Sequence, residues 1–218
     1  MNVNDCIELV KSVFVNVKED KEIDEFLKQS VVLPLIEQLD DGLSENVEEY
    51  ITVMEDLFEK GDADVHEALK NAVEKGFEDQ PEAWMKFGRR ISYPFKNYIN
   101  ESTAMDSITV YFKTINEFEG TDYLEFVNGQ WDGSSYWNET SMYLSADMDD
   151  QIDFDRYIKE VNPEYDSYGV TEVDEDQWDT LVHNVTRVGG PICAAVYEIN
   201  RWVKKGIEKE SVITILGL

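Results

Sequence analysis

Apolar residues recur every three or four positions through the first hundred residues, the spacing of amphipathic helices. Asn4 is placed to cap a first helix with Ile7, Val10, Val13, Phe14 and Val17 on one side. A second is expected from about Asp20, carrying Ile23, Phe26 and Leu27 into VVLPLIEQL. Pro34 should kink or restart it, because proline lacks an N–H and its ring crowds the preceding turn. Ser44 is the expected cap of a third helix, with Val47, Tyr50, Ile51, Met54 and Phe58 on one face. Gly61 ends that helix, and Asp62 caps a fourth with Val65, Leu69, Ala72 and Val73 inside. Pro81 suits the first turn of a fifth, turning Trp84, Phe87 and Ile91 inward. Pro94 interrupts it, and Phe95, Tyr98 and Ile99 continue the apolar side. The pattern predicts a helical lobe over residues 1–101, built as a small bundle or a stack of helix pairs.

The character changes after Asn100. Residues 104–118 fit a helix, although ITVYF alone fits a strand. YLEFVNG and then QWDGSSYWNETSMYLS read as strands, with Asn128-Gly129 and Asp132-Gly133 as hairpin turns. Val170 to Val173 reads as a further strand. Asp174 and Gln177 form a capping box for a helix with Trp178, Leu181, Val182 and Val185 buried. Gly189-Gly190 breaks the chain, and Pro191 opens a last helix with Ile192, Ala195, Val196, Ile199, Trp202 and Val203 in its stripe. SVITIL closes as a strand. The predicted class is α+β: a helical N-terminal lobe, then a mixed lobe over 102–218 with a small antiparallel sheet and two or more helices. One continuous domain is the alternative to two lobes.

Charge sharpens the picture. The chain of 218 residues carries 47 acidic and 19 basic residues, a formal net charge of −28. Such a charge opposes compaction and exceeds what solubility requires. It disfavours nucleic acid and anionic membranes as partners and favours fast, salt-sensitive association with a basic one. The acids are densest from Asp147 to Asp179, where thirteen face only Arg156 and Lys159. With 42% hydrophobic and 12% aromatic residues, the chain nevertheless has the means to build a core. The opening MNVNDCIELVKSVFVNV lacks the basic-then-apolar layout of a signal peptide. No apolar run reaches membrane-spanning length. Cys6 and Cys193 lie far apart in apolar surroundings, as free thiols do. The expected location is the cytoplasm.

Asp149, Gln151, Asp153 and Glu160 sit at calcium-loop spacing, but Phe154 stands where that loop needs glycine, so no metal is assigned. Ile152, Tyr157, Ile158 and Val161 instead lie near helical spacing. His66 and His183 are single histidines without metal or triad partners in sequence, and no phosphate-loop, dinucleotide or GxSxG motif occurs. No cofactor is implied. An acid/base carboxylate pair of glycosidase type is compatible with so many acids, yet spacing singles out none. Trp131, Tyr136, Trp137 and Tyr143 could stack on a sugar or a peptide, or fill a sheet core.

NPEYDSYGVTEVDEDQWDTLV, residues 162–182, resembles C-terminal segments of bacterial immunity proteins encoded beside polymorphic toxins. YITVMEDLFEKGDADVHEALKNAVEKGF, residues 50–77, is similar to helical segments of proteins of the same sort. The resemblance implies a cytosolic protein that binds and neutralises a cognate toxin, often a basic nuclease, and it carries over no functional residue. Charge density places the partner-binding surface at Asp149, Asp150, Asp153 and Asp155, with Trp137 and Tyr168 as aromatic anchors. The expected role is inhibition by occlusion rather than catalysis. An acidic-cleft enzyme and a DNA-mimic inhibitor are the alternatives.

Overall fold

The computed structural model describes residues 1–14, 17, 22–41, 44–120 and 122–217. The helix start expected near Asp20 and the capping role of the Ser44 side chain lie outside the described residues. The chain forms two compact units, Met1–Ile108 and Thr109–Leu218. It is α+β, with a helical first unit and a mixed second one.

The first unit contains α1 (Val3–Val13), α2 (Ile23–Leu27), α3 (Leu33–Asp41), α4 (Ser44–Lys60), α5 (Ala63–Phe77), α6 (Pro81–Gly88) and α7 (Tyr93–Ser102). Asn2, rather than Asn4, caps α1: its side chain accepts from the N–H groups of Asn4 and Asp5, and Asp5 returns the bond in a capping box. The expected start falls two residues late because Met1 and Val3 carry no helical signal of their own. Asp62 caps α5, as the pattern predicts, by accepting from the Val65 N–H. The helix restarts at Pro34, one of the two outcomes expected for it: α3 begins at Leu33. A π turn over Lys28–Val32 joins α2 to α3, and the proline falls in the first turn after it. The wider turn removes the clash that a proline ring makes with the carbonyl four residues back. Gly76 lets α5 approach this turn closely, since a Cβ there would collide with Val32.

The core of this unit includes Leu27, Val31, Leu35, Leu57, Phe77, Phe87 and Phe95. Phe77 stacks on Phe87 at 4.9 Å, and Phe58 on Phe95 at 5.3 Å. His66 serves this packing: its Nε2 donates to the Phe58 carbonyl at 2.7 Å, and its own carbonyl accepts from the Tyr98 hydroxyl at 2.8 Å. Burial, with the Asp62 charge nearby, pushes the Cys6 thiol up to about 11, the behaviour of an inert structural cysteine. Residues 102–108, placed in the mixed lobe by their sequence, belong to this unit. The Asn100 amide binds both the N–H and the carbonyl of Ile108, and the Trp84 indole donates to the Asp106 carbonyl.

The second unit contains β1 (Phe112–Lys113), a 3₁₀ turn (Ile115–Glu117), β2 (Tyr123–Asn128), β3 (Met142–Ser145), α8 (Ala146–Ile152), α9 (Phe154–Val161), β4 (Val170–Asp174), α10 (Glu175–Val188), α11 (Gly190–Glu210) and β5 (Val212–Gly217). The sheet order is β1-β3-β2-β5-β4, with every pair antiparallel. Residues 104–111, ambiguous in sequence, are neither helix nor strand. Leu124, Phe126, Leu144, Val173, Ile213 and Ile215 share one sheet face and are buried. The stripes of α10 and α11 pack with this sheet, and Phe154 of α9 meets Phe126 edge-on at 5.6 Å. The capping box of Asp174 with Gln177 forms as expected. No helix among the described residues is long and apolar enough to cross a membrane.

Tyr123, Glu125, Tyr143, Thr214 and Leu216 lie on the opposite face and are also buried. The two expected hairpin turns do not form, and residues 129–140 make one long loop between β2 and β3. Glu125 explains why. Its fully buried carboxylate accepts from the backbone N–H groups of Trp137 (2.8 Å) and Asn138 (2.9 Å) and from the Tyr143 hydroxyl (3.0 Å). The N–H groups that a strand would spend on a ladder are spent on this side chain. Thr214 adds a second pin, donating to the Gly129 carbonyl at 2.7 Å.

Glu125→Ala leaves the Trp137 and Asn138 N–H groups without their acceptor, while the Tyr143 hydroxyl keeps the Asn138 carbonyl at 2.8 Å. The substitution is expected to lower the unfolding free energy by about 3 kcal/mol or more, and Glu125→Gln by less because one acceptor oxygen remains. Denaturant unfolding followed by near-ultraviolet circular dichroism reads both.

Candidate functional site

The end of the sheet where β2 starts carries a cleft of about 360 Å³. Three separate stretches line it: Asp122, Tyr123 and Leu124 entering β2; Ala146, Asp149, Asp150 and Asp155 on α8 and α9; and Ser167 with Tyr168 ahead of β4. Of the six residues expected from sequence, Asp149, Asp150, Asp155 and Tyr168 come together here. Asp153 and Trp137 do not line the cleft. Asp153 is the joint between α8 and α9, in the left-handed conformation (φ 58°), and points to Arg156 at 3.9 Å. Trp137 packs edge-on to Phe118 at 5.2 Å and stacks with Tyr143 at 6.0 Å. Asp122 was missed; its carboxylate lies 25 residues before Asp147, outside the dense acidic run.

Local chemistry places each carboxylate. Asp149 sits in the middle of the short α8 and accepts from the Asp155 N–H at 3.2 Å, so it closes the start of α9 across the joint. Burial raises the Asp149 carboxyl to about 6, and the charges of Asp155 and Asp150 add to the effect. Asp155 is held on both oxygens. The Tyr165 hydroxyl donates to one at 2.7 Å, and the Lys159 ammonium lies 3.4 Å from the other. Burial, together with its bond to Asp155, holds the Tyr165 phenol far above its ordinary range, so it remains a neutral donor.

The NPEYDSYG stretch turns out to be a knitted turn. The Asn162 amide donates to the Glu172 carbonyl, Asp166 accepts from the Tyr168 N–H, and Thr171 accepts from the Asp166 N–H. Tyr165 is the donor to Asp155. Gly217 of β5 lets this turn lie on the strand: a Cβ there would come within 2.6 Å of the Tyr168 Cα. The turn leaves Tyr168 89% exposed at the cleft rim.

The arrangement offers concentrated negative charge with one exposed aromatic beside it, which suits an ammonium or guanidinium group. Among the described residues no group of three or more histidine, cysteine or carboxylate side chains is arranged to hold a metal ion.

Residues 7–105 match a family described as a domain of unknown function (DUF7674). The match stays within the first unit, whereas the cleft belongs to the second. No curated protein and no solved structure matches the chain.

The raised Asp149 carboxyl has a signed consequence. Between the ordinary value of 3.8 and about 6 the folded chain holds a proton that the unfolded chain has lost, so stability falls as pH rises through that window. Asp149→Asn keeps an acceptor for the Asp155 N–H and removes the charge. Above pH 6 the variant should be the more stable by about 1 kcal/mol, a figure discounted for solvent screening, and the difference should vanish below pH 4. Urea unfolding of both proteins across that range measures it.

Proposed function

We propose that this chain is an inhibitory binding protein of immunity type, acting in the cytoplasm on a cognate basic toxin domain. The observation that carries this reading is the gathering of Asp122, Asp149, Asp150 and Asp155 in one cleft beside the exposed Tyr168 ring. A chain with net charge −28 gains most from a partner that relieves repulsion where its carboxylates crowd. The mechanism is occlusion. Lysine and arginine side chains that a toxin would use to hold a phosphate substrate enter the acidic cleft, and the protein body covers the toxin's active site. Tyr168 supplies an apolar and cation-accepting contact at the rim. Asp155, already tied to Tyr165 and Lys159, keeps the cleft in shape, while the exposed Asp150 is free to meet the partner. The resemblance of residues 162–182 to immunity proteins agrees with this role.

One observation favours a second reading. A carboxyl raised to about 6 beside a second carboxylate is how glycosidases supply a proton donor. Asp149 would donate, with Asp155 as the second carboxylate. Against it, both Asp155 oxygens are already engaged, which leaves little for a substrate.

Calorimetric titration of the full chain with the purified product of the adjacent gene tests the proposal. Binding should weaken steeply with added salt. Asp150→Asn combined with Tyr168→Ala should weaken it about tenfold. Absence of binding at low salt, or affinity indifferent to both substitutions, sinks the reading. Glycoside turnover abolished by Asp149→Asn would replace it with the enzyme.

A further inference from the structure

The 129–140 loop leaves the other end of the β2–β3 hairpin from the cleft, and most of its residues are exposed. Exposed loops of this length usually rely on solvent for their backbone bonds. This one is tied internally. Asp132 accepts from the Ser134 N–H (2.8 Å), the Ser135 N–H (2.7 Å) and the Ser135 hydroxyl (2.7 Å). The Trp131 indole donates to the Ser135 carbonyl at 2.7 Å. Asn138 accepts from the N–H and the hydroxyl of Thr140. Glu125 fixes Trp137 with φ at 63°, a conformation that bulky residues rarely take. A backbone held in a costly state by a buried carboxylate points to a requirement on what the loop displays.

What it displays is an aromatic pair. Trp131 and Tyr136 lie 4.8 Å apart, inclined at 53°, and Tyr136 is 46% exposed. The loop's own charges are of one sign: residues 129–140 hold Asp132 and Glu139 and neither lysine nor arginine. Asp132 is kept ionised by its bonds to Ser135 and Ser134, which hold its carboxyl down to about 2. The Gln130 amide at the base of the loop reaches Glu172 of β4 at 3.4 Å.

We infer that the 129–140 loop is a second, preorganised contact surface, on which Trp131 and Tyr136 receive an arginine or lysine side chain of a basic protein partner through ring-face attraction. This rests on the reading of the protein as a binder of a cationic partner. It adds an anchor separate from the cleft, at the opposite end of β2. The fixed backbone means that docking costs little ordering entropy, and the acidic surround selects a cation over an apolar side chain. Asp132, next to Trp131 in the loop, supplies the counter-charge, and Glu172 adds to it at the loop base.

The probe is an oligoarginine peptide, titrated into the full chain while the indole N–H resonances are followed by NMR, with Trp131 assigned through Trp131→Phe. The Trp131 signal should move saturably. Tyr136→Ala, a change at an exposed position, should weaken the associated affinity about threefold. Amides of residues 149–155 report the cleft separately. If those move and Trp131 stays still, the loop inference fails while the cleft reading stands. If Trp131 moves and the cleft amides do not, the loop stands and the cleft reading falls. A Trp131 shift caused by a neutral oligosaccharide, and not by oligoarginine, overturns the cationic assignment in favour of a glycan.

Discussion

β5 pairs on both sides, with β2 and with β4, and Leu216 stands opposite Glu125 in one ladder and Val170 in the other. These two ladders join parts of the second unit that local sequence would not bring together. β2 delivers Asp122 to Leu124 to one wall of the cleft, and the turn before β4 delivers Ser167 and Tyr168 to another. Gly217, within β5, supplies the room for that turn. Remove the pairing and the acidic helices α8 and α9 remain, but the aromatic rim and the third wall do not.

The charge crowding is tolerated through a division of labour among the carboxylates. Glu125 and Glu198 are buried, and each accepts backbone N–H groups, of Trp137 and Asn138 in one case and of Tyr111 and Phe112 in the other. Both act as extensions of the sheet's hydrogen bonding. Asp149 closes a helix start. Asp155 is neutralised in part by Lys159 and by a phenol that stays protonated. At Asp149 burial comes first and the neighbouring charges of Asp155 and Asp150 add to it, and its raised proton affinity records both. The aromatic cluster of Phe118, Tyr123, Trp137 and Tyr143 fills the sheet face that the loop covers, which accounts for the packing of Trp137 on Phe118 and Tyr143 although part of its ring stays exposed.

Local signals in the sequence carried much of the fold. Asp62, Pro81, the Asp174–Gln177 pair and the Gly189–Pro191 break each act on their own few neighbours, so their roles are legible from spacing alone. The loop at 129–140 was not legible. Its aromatic and threonine content imitates a strand, and the residue that prevents a strand, Glu125, exerts its effect from another element. The acidic density around Asp149 was visible, yet its partition was not. Asp153 falls at the joint because α8 stops at Ile152 and α9 begins at Phe154, a phase break that the alternation of Ile152, Tyr157 and Ile158 conceals. Asp122 could have been found only by knowing that β2 starts beside the end of β3, a long-range fact.

The π turn between α2 and α3 has a geometric consequence for the first unit. Leu27, Val31, Leu35 and Leu39 are all buried, and they are spaced by four. On an unbroken α-helix each such step drifts about 40° around the axis, so after three steps the last side chain would have swung well away from the first. A turn with more residues per revolution rotates the stripe back. The widened turn thus works like a vernier, re-zeroing the angular scale so that one continuous leucine and valine seam stays aimed at a single interior over the whole rod.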